Sequence, residues 1–332
     1  MGVLSAVPFA EIAARGSIDG ADVLALRRTA TEGCRITAEE AHSLLALDDA
    51  CPVQDPAWAQ WLVETLCDFI VHQTEPAGDL SAGNAAWLIA RISGDGCIAT
   101  GTPMHLLLAV LDRARLVPPS LVHFALEQVK AAIVGGSGPP RSGLSAPPRT
   151  VGAGHVDLLR RIMCAFDGNG GGGLPVTRPE AELLLAIDAA TCGSDNHPSW
   201  QELFVQAVGN CVLAALGYAV PARALALAGS AMDAERSSGG PGLAPDPACR
   251  LQSAVEREAA RCARQRLESV TGEPLELADA AWLAGRLEGD GPLSPNVRAL
   301  LGFLEATGAA LSPASRRWWA GLRRRANSKS SE

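Results

Sequence analysis

The sequence predicts an all-α chain made of two diverged copies of a multi-helix (helix-loop-helix) unit, and three observations carry that prediction. Alanine and leucine dominate while aromatic residues make up only 4% of the chain, a balance that favours helix over strand. Apolar residues recur at three- and four-residue spacing within the segments that lack Gly and Pro. Two blocks of sequence also occur twice, in the same order, with a run of Gly, Pro and Ser between the copies. Almost no sheet is expected.

The first block is Ile36–Val71, ITAEEAHSLLALDDACPVQDPAWAQWLVETLCDFIV, which matches the stretch from Val176, VTRPEAELLLAIDAATCGSDNHPSWQELFVQAVGNCV. With a two-residue insertion in the middle, Thr37, Glu40, Leu44, Leu45, Asp48, Pro56 and Trp58 meet Thr177, Glu180, Leu184, Leu185, Asp188, Pro198 and Trp200. The second block pairs LSAGNAAWLIARISGDG, Leu80–Gly96, with LELADAAWLAGRLEGDG, Leu275–Gly291. Gly135–Thr150, GGSGPPRSGLSAPPRT, separates the halves and reads as a linker.

Taken in order, the chain divides into an N-terminal tail 1–17, a first helical domain 18–134, a linker 135–151, a second helical domain 152–323 and a disordered tail 324–332. Each domain should hold five or six helices, with the like faces of the copies packed together. Thr37 with Glu40 is a capping box, the Thr hydroxyl accepting from a first-turn amide while the Glu reaches back, and Thr177 with Glu180 repeats it. Behind the cap Ala41, Leu44, Leu45 and Asp48 share one face, Pro52 and Pro56 end that helix and begin the next, and Trp58, Leu62, Leu66 and Phe69 make its apolar face. Only the second domain carries an insertion, 222–272, with a flexible part at 235–247 and then a charged helix over Ala248–Val270. That helix places Leu251, Val255, Ala259, Cys262 and Leu267 at helical spacing, a face that could dock on the domain or on a partner.

Composition narrows the function. A chain of 332 residues with 48% hydrophobic content can bury two ordinary cores. A net charge of −8 speaks against a nucleic-acid partner, which calls for a basic face. Lys130 and Lys329 are the two lysines among 28 basic residues, a bias that goes with a high-GC bacterial genome. No apolar run spans a bilayer and no basic region followed by an apolar core opens the chain, so a cytoplasmic protein is expected. The nine cysteines lack paired spacing, and Cys67, Cys164 and Cys211 read as buried reduced thiols.

Trp58, Trp200, Trp87 and Trp282 are expected as buried structural anchors because all four recur between the copies. Asp95 and Asp290, in the two Gly-Asp-Gly turns, join them as structural positions. Acidic residues gather where the first two helices meet: Asp48, Asp49 and Asp55 in one copy, Asp188 and Asp195 in the other. Asp48 and Asp188 lie near a helix C-terminus, where the macrodipole disfavours negative charge, so each needs compensation. An arginine or a backbone amide of the next helix would supply it; a bound metal is the alternative, and these two aspartates are the metal candidates.

Gly94-Asp95-Gly96-Cys97-Ile98 and Gly289-Asp290-Gly291-Pro292-Leu293 resemble the middle of an EF-hand loop, where a Gly turns the chain and an apolar residue follows two positions later. The helix, D-G-x-hydrophobic loop, helix order is also similar to the TerB-like tellurite-resistance domains, and the whole chain looks like an uncharacterised group of duplicated bacterial helical proteins. The EF-hand likeness implies a calcium site that the residues do not supply. With Gly96 sixth, Arg91 comes first, Ser93 third and Thr102 twelfth; the second copy offers Arg286, Glu288 and Val297. The loop Asp167–Thr177, DGNGGGGLPVT, brings Asp167 and Asn169 but then Gly171 and Arg178, and it has neither the preceding strand nor the Gly-Lys-Ser/Thr of a phosphate loop.

Cys67 with His72 and Cys192 with His197 have zinc-like spacing without second pairs. No nucleophile elbow or catalytic cysteine context is present, and His42, His105 and His123 read as structural helix residues. The terminal SRRWWAGLRRR, Ser315–Arg325, could touch a peripheral surface through Arg316, Arg317, Arg323, Arg324 and Arg325, although alignment with Leu121–Val129 sets Trp318 and Trp319 opposite Phe124 and Ala125, as core. No catalytic residue and no cofactor are expected. The leading expectation is a non-enzymatic interaction or scaffold protein with a protein partner. A metal-responsive binding protein of TerB-like or EF-hand-derived type comes second, and an enzyme with a site between the domains third.

Overall fold

The computed structural model describes residues 4, 7–33, 35–94, 96–135, 147–165, 174–221, 223–227, 254–271, 282–283, 293–307 and 320. The chain is all-α. Two compact units divide within one long helix, between Gln128 and Val129.

The first unit contains α1 (Phe9–Arg15), α2 (Gly20–Gly33), α3 (Ala38–Ala50), α4 (Pro56–Asp68), α5 (Ala82–Ile92), α6 (Gly101–Arg113) and the start of α7 (Pro119–Gly135). Gly16 ends α1 in the left-handed conformation with φ 68°, its N–H bonded to the carbonyls of Ile12 and Ala13. The turn it makes delivers β1 (Ser17–Ile18), which pairs in parallel with β2 (Val53–Gln54). This two-residue ladder is the whole of the sheet among the described residues.

Capping sets where these helices begin. Thr37 and Glu40 form the reciprocal box at α3, Asp55 accepts from the Ala57 amide ahead of Pro56 at the start of α4, and Ser81 accepts from Asn84 at α5. Each such cap is worth about 1 kcal/mol. Trp58, Trp61, Leu62, Leu66 and Phe69 then bury one face of α4, which packs on α2 and α6. A π-helical turn, Phe69–Gln73, continues α4.

The second unit contains the end of α7, α8 (Ala153–Ala165), α9 (Arg178–Ala190), α10 (Pro198–Ala215), the short α11 (Arg223–Ala226), α12 (Ala254–Thr271) and α13 (Pro295–Thr307). Thr177 and Glu180 cap α9 as their counterparts cap α3. Helix α10 is the centre of the unit, in contact with α8, α9, α11 and α13. It buries Trp200, Leu203, Phe204, Ala207, Val208 and Cys211. Gly209 is where α13 comes closest: a Cβ there would lie 2.7 Å from the Phe303 ring, so only a glycine admits that ring at its present depth.

The insertion helix is observed as α12, Ala254–Thr271; residues 248–253 lie outside the described part. Ala260 and Leu267, seven residues apart, are buried, whereas Cys262 is exposed. The predicted face is therefore corrected. Two turns of helix bring residues seven apart nearly into line, and the line through Ala260 and Leu267 leaves Cys262 about 160° away from Ala260 at roughly 100° per residue, or 3.6 residues per turn.

Candidate functional site

The candidate sites are the buried carboxylates of α3 and α9, Glu40 and Asp48 in the first unit and Glu180 and Asp188 in the second, and the two units solve their electrostatics differently. In the first unit the Glu40 carboxylate is buried. Its Oε2 accepts from the Thr37 amide at 2.8 Å and the Thr37 hydroxyl at 3.0 Å, and its Oε1 accepts from the Leu4 amide. Burial pushes its pKa up, but the Thr37 and Leu4 donors outweigh it and hold the carboxyl below its ordinary value. In the second unit Glu180 keeps the Thr177 donors at 2.8 and 2.7 Å. Its second partner is a cation.

That cation is Arg223, fully buried at the start of α11. Nη1 donates to Glu180 Oε1 at 2.7 Å and to the Met163 carbonyl at 3.0 Å; Nη2 donates to Glu180 Oε2 at 2.9 Å and to the Pro175 carbonyl at 2.7 Å. One planar fork thereby ties the end of α8, the approach to α9 and the first turn of α9.

Asp48 and Asp188 are both buried. Among the described residues neither is met by an arginine or a backbone amide, which corrects that expectation. Asp48 Oδ1 accepts from the Trp58 indole N–H at 2.8 Å and the Gln54 amide at 2.9 Å. Burial is the larger influence and raises the pKa of Asp48 above 3.8, the Trp58 and Gln54 bonds pull against it, and the neighbouring Asp49 adds to the rise. Asp188 instead accepts from Ser294 Oγ and, at 2.7 Å, from Asn296 Nδ2 at the start of α13. In both units neutral side-chain donors satisfy the buried carboxylate without a second charge.

Among the described residues no three His, Cys, Asp or Glu side chains are grouped as a metal ion needs. Asp49 and Asp195 are exposed and Asp55 is spent on the cap of α4. Cys67 is buried while His72 is exposed, and His197 caps α10 through the Ser199 amide; among the described residues neither zinc-like pair is part of a three-ligand group.

Trp58 and Trp200 are fully buried. Trp87 and Trp282 are half-buried, short of the burial expected of them. Trp87 lies edge-on to Phe69 at 5.9 Å, and Trp282 lies under the Arg178 guanidinium at 5.6 Å. Asp95, Asp290, Arg316, Arg317, Arg323, Arg324 and Arg325 lie outside the described residues.

In the loop Gly94–Ile98, Gly96 has φ 78°. The Ile98 amide, which an EF-hand would pair with a second loop, donates to Gln128 Oε1 at 2.9 Å, and Gln128 Nε2 donates back to the Gly96 carbonyl at 2.9 Å. A glutamine of α7 closes this loop.

Burial sorts the other candidates. Cys51, Cys67 and Cys211 are buried, Cys164 is half-buried, and Cys97, Cys192 and Cys262 are exposed, so the expectation of buried thiols holds for only part of the set. Burial pushes the Cys51 and Cys67 thiols up, away from the thiolate that a nucleophile needs. His42, His105 and His123 lie on exposed helix faces; the buried histidine is His155, whose Nδ1 accepts from the Gly152 amide at 3.1 Å at the start of α8. No described helix is long and apolar enough to cross a membrane. Comparison with protein-family models, with curated proteins and with solved structures found no match.

Proposed function

We propose that the chain is a non-enzymatic protein-interaction or scaffold protein of the bacterial cytoplasm, built from two diverged copies of one helical unit. The observation that carries this reading is that the buried polar side chains of both blocks are committed to holding helix ends together. Glu40 and Glu180 serve caps, Asp48 and Asp188 bind neutral donors from a neighbouring helix, and Arg223 fastens three segments. Three further details support common descent of the units. Trp58 and Trp200 are each the third residue of a helix that Pro opens. The Ile18 carbonyl accepts from the Asp55 amide as the Val151 carbonyl accepts from the His197 amide, both at 2.8 Å. Asp19 and Gly152 then bond forward through their amides to Asp22 and His155.

With its interior so committed, the chain's remaining capacity is its surface. Leu24, Val53 and Leu116 of the first unit are 55%, 66% and 57% exposed, and α12 presents a charged outer face with Glu258, Arg261, Arg266 and Glu268 exposed. These are the surfaces on which a protein partner would act.

The test compares proteins that co-purify with the full chain and with a Leu24→Glu, Val53→Glu, Leu116→Glu variant, alongside thermal melts with Ca²⁺, Zn²⁺, Mg²⁺ or EDTA. Loss of a specific partner with an unchanged melting temperature supports the reading. An identical set of co-purifying proteins counts against this surface. A midpoint raised by one metal in the parent, with no such shift on adding that metal to the Asp48→Asn, Asp188→Asn variant, replaces the reading with metal binding.

A further inference from the structure

The two matched tryptophans differ in one atom's environment. The Trp58 indole N–H donates to Asp48 at 2.8 Å. The Trp200 indole N–H, equally buried, has no hydrogen-bond partner, while the oxygens of Asp188 accept from Ser294 and Asn296 instead. Ser294 has a second task there: its Oγ accepts from the Val297 amide at 3.0 Å and so caps α13. The corresponding contact is missing in the first unit, where Thr100 begins α6 without a side-chain cap bond. Asp188 is thus bonded to a residue 106 positions away in sequence, while the indole of Trp200, which follows it in the same sequence block, is left unmatched.

We propose that Ser294 and Asn296 form a latch on Asp188 that holds the start of α13, and that Asp188 exchanges these donors for the Trp200 indole when α13 is released. The inference rests on the duplication put forward above, since the first unit supplies the alternative arrangement. An unmatched buried donor penalises the latched state, and the exchange removes that penalty at the moment the α13 contacts are lost. The closely seated Phe303 against Gly209 opposes release. The element is therefore two-state: latched with α13 capped and Trp200 unmatched, or released with Trp200 matched.

The experiment uses the full chain with ¹⁵N-labelled tryptophan, indole resonances assigned by single Trp→Phe variants, and amide hydrogen exchange read by mass spectrometry. Ser294→Ala with Asn296→Ala is expected to move the Trp200 indole proton downfield towards the Trp58 position. Exchange over 295–307 should speed up by about tenfold or more, with α4 and α6 unchanged. Adding Asp188→Ala should return the indole proton upfield. An indole proton that stays in place, or shifts equally with and without Asp188, overturns the latch. Asp48→Ala is the control: a Trp58 indole proton that ignores it removes the comparison between copies, whereas a Trp58 response with a silent Trp200 removes the latch alone.

Discussion

Arg223→Met removes the one guanidinium that neutralises Glu180 and leaves three sets of acceptors without their donor. Glu180 is 4% exposed and Arg223 0%, so water cannot take over the lost bonds. Breaking a buried pair from one side costs about 3–5 kcal/mol, because a charge is left behind unpaired. For a unit of this size each kcal/mol lowers Tm by roughly 2–4 °C, which gives a drop of roughly 6–20 °C for the transition of the second unit. The assay is urea denaturation followed by hydrogen exchange, with α8, α9 and α10 expected to lose protection and α3 and α4 to keep it. Glu180→Gln added to Arg223→Met should recover part of the loss, since the stranded charge is then gone while the Thr177 donors still find an acceptor. A loss under about 1 kcal/mol, or a double variant no better than the single, would refute the reasoning that the pair's charge compensation holds these segments together.

Two further outcomes are expected. Asp48 has a raised carboxyl pKa in the folded chain, so its ionisation weighs against folding: the penalty is absent below 3.8 and grows as pH rises through the folded value. Asp48→Asn keeps an oxygen for Trp58 and Gln54, and its Tm advantage over the parent should increase from pH 4 towards neutral; an advantage that shrinks with rising pH sinks the argument. Gly209→Ala gains about 1 kcal/mol of helix propensity but drives a methyl into the Phe303 ring. Overpacking costs about 1–3 kcal/mol, so the variant should be destabilised, and Phe303→Leu should relieve it; equal stability of Gly209→Ala and the parent in urea would show that α13 yields freely.

The helices were legible because their signals are local. A capping box occupies four consecutive residues, and Thr37, Glu40, Thr177 and Glu180 do what that spacing implies. The Pro that opens α4 and the apolar face behind it are equally local. The distant partners of Glu180 and Asp188 were not legible: Arg223 is 43 residues from Glu180 and Asn296 is 108 from Asp188. Arg223 sits beside a Pro- and Ala-rich stretch with nothing to mark it among 28 basic residues. A sequence clue did exist for Gln128 and Asn210, polar residues on otherwise apolar helix faces, where burial demands a bonding partner. The half-burial of Trp87 and Trp282 had no such clue, because recurrence indicates that a side chain is used and not how deeply it sits.

The residue ahead of each capping box separates what the fold requires from the residue that supplies it. Ile36 and Val176 are buried, so their amides need acceptors. In the first unit the acceptor is Gln73 Oε1 at 3.0 Å, at the end of the π-helical turn, with Gln73 Nε2 held by Asp68 at 2.7 Å. In the second unit α10 runs on to Ala215 as an α-helix, and Asn210, which falls opposite Asp68 when Trp58 is set against Trp200, accepts directly at 2.8 Å. Its Nδ2 is left over and donates to the Pro221 carbonyl at 3.1 Å, two residues before Arg223. The shorter amide therefore does two things at once: it removes the need for a widened turn, and it anchors the segment that carries Arg223 to Glu180. The buried cation of the second unit and the π turn of the first are alternative consequences of whether Asn210 or Asp68 stands at that point of the helix.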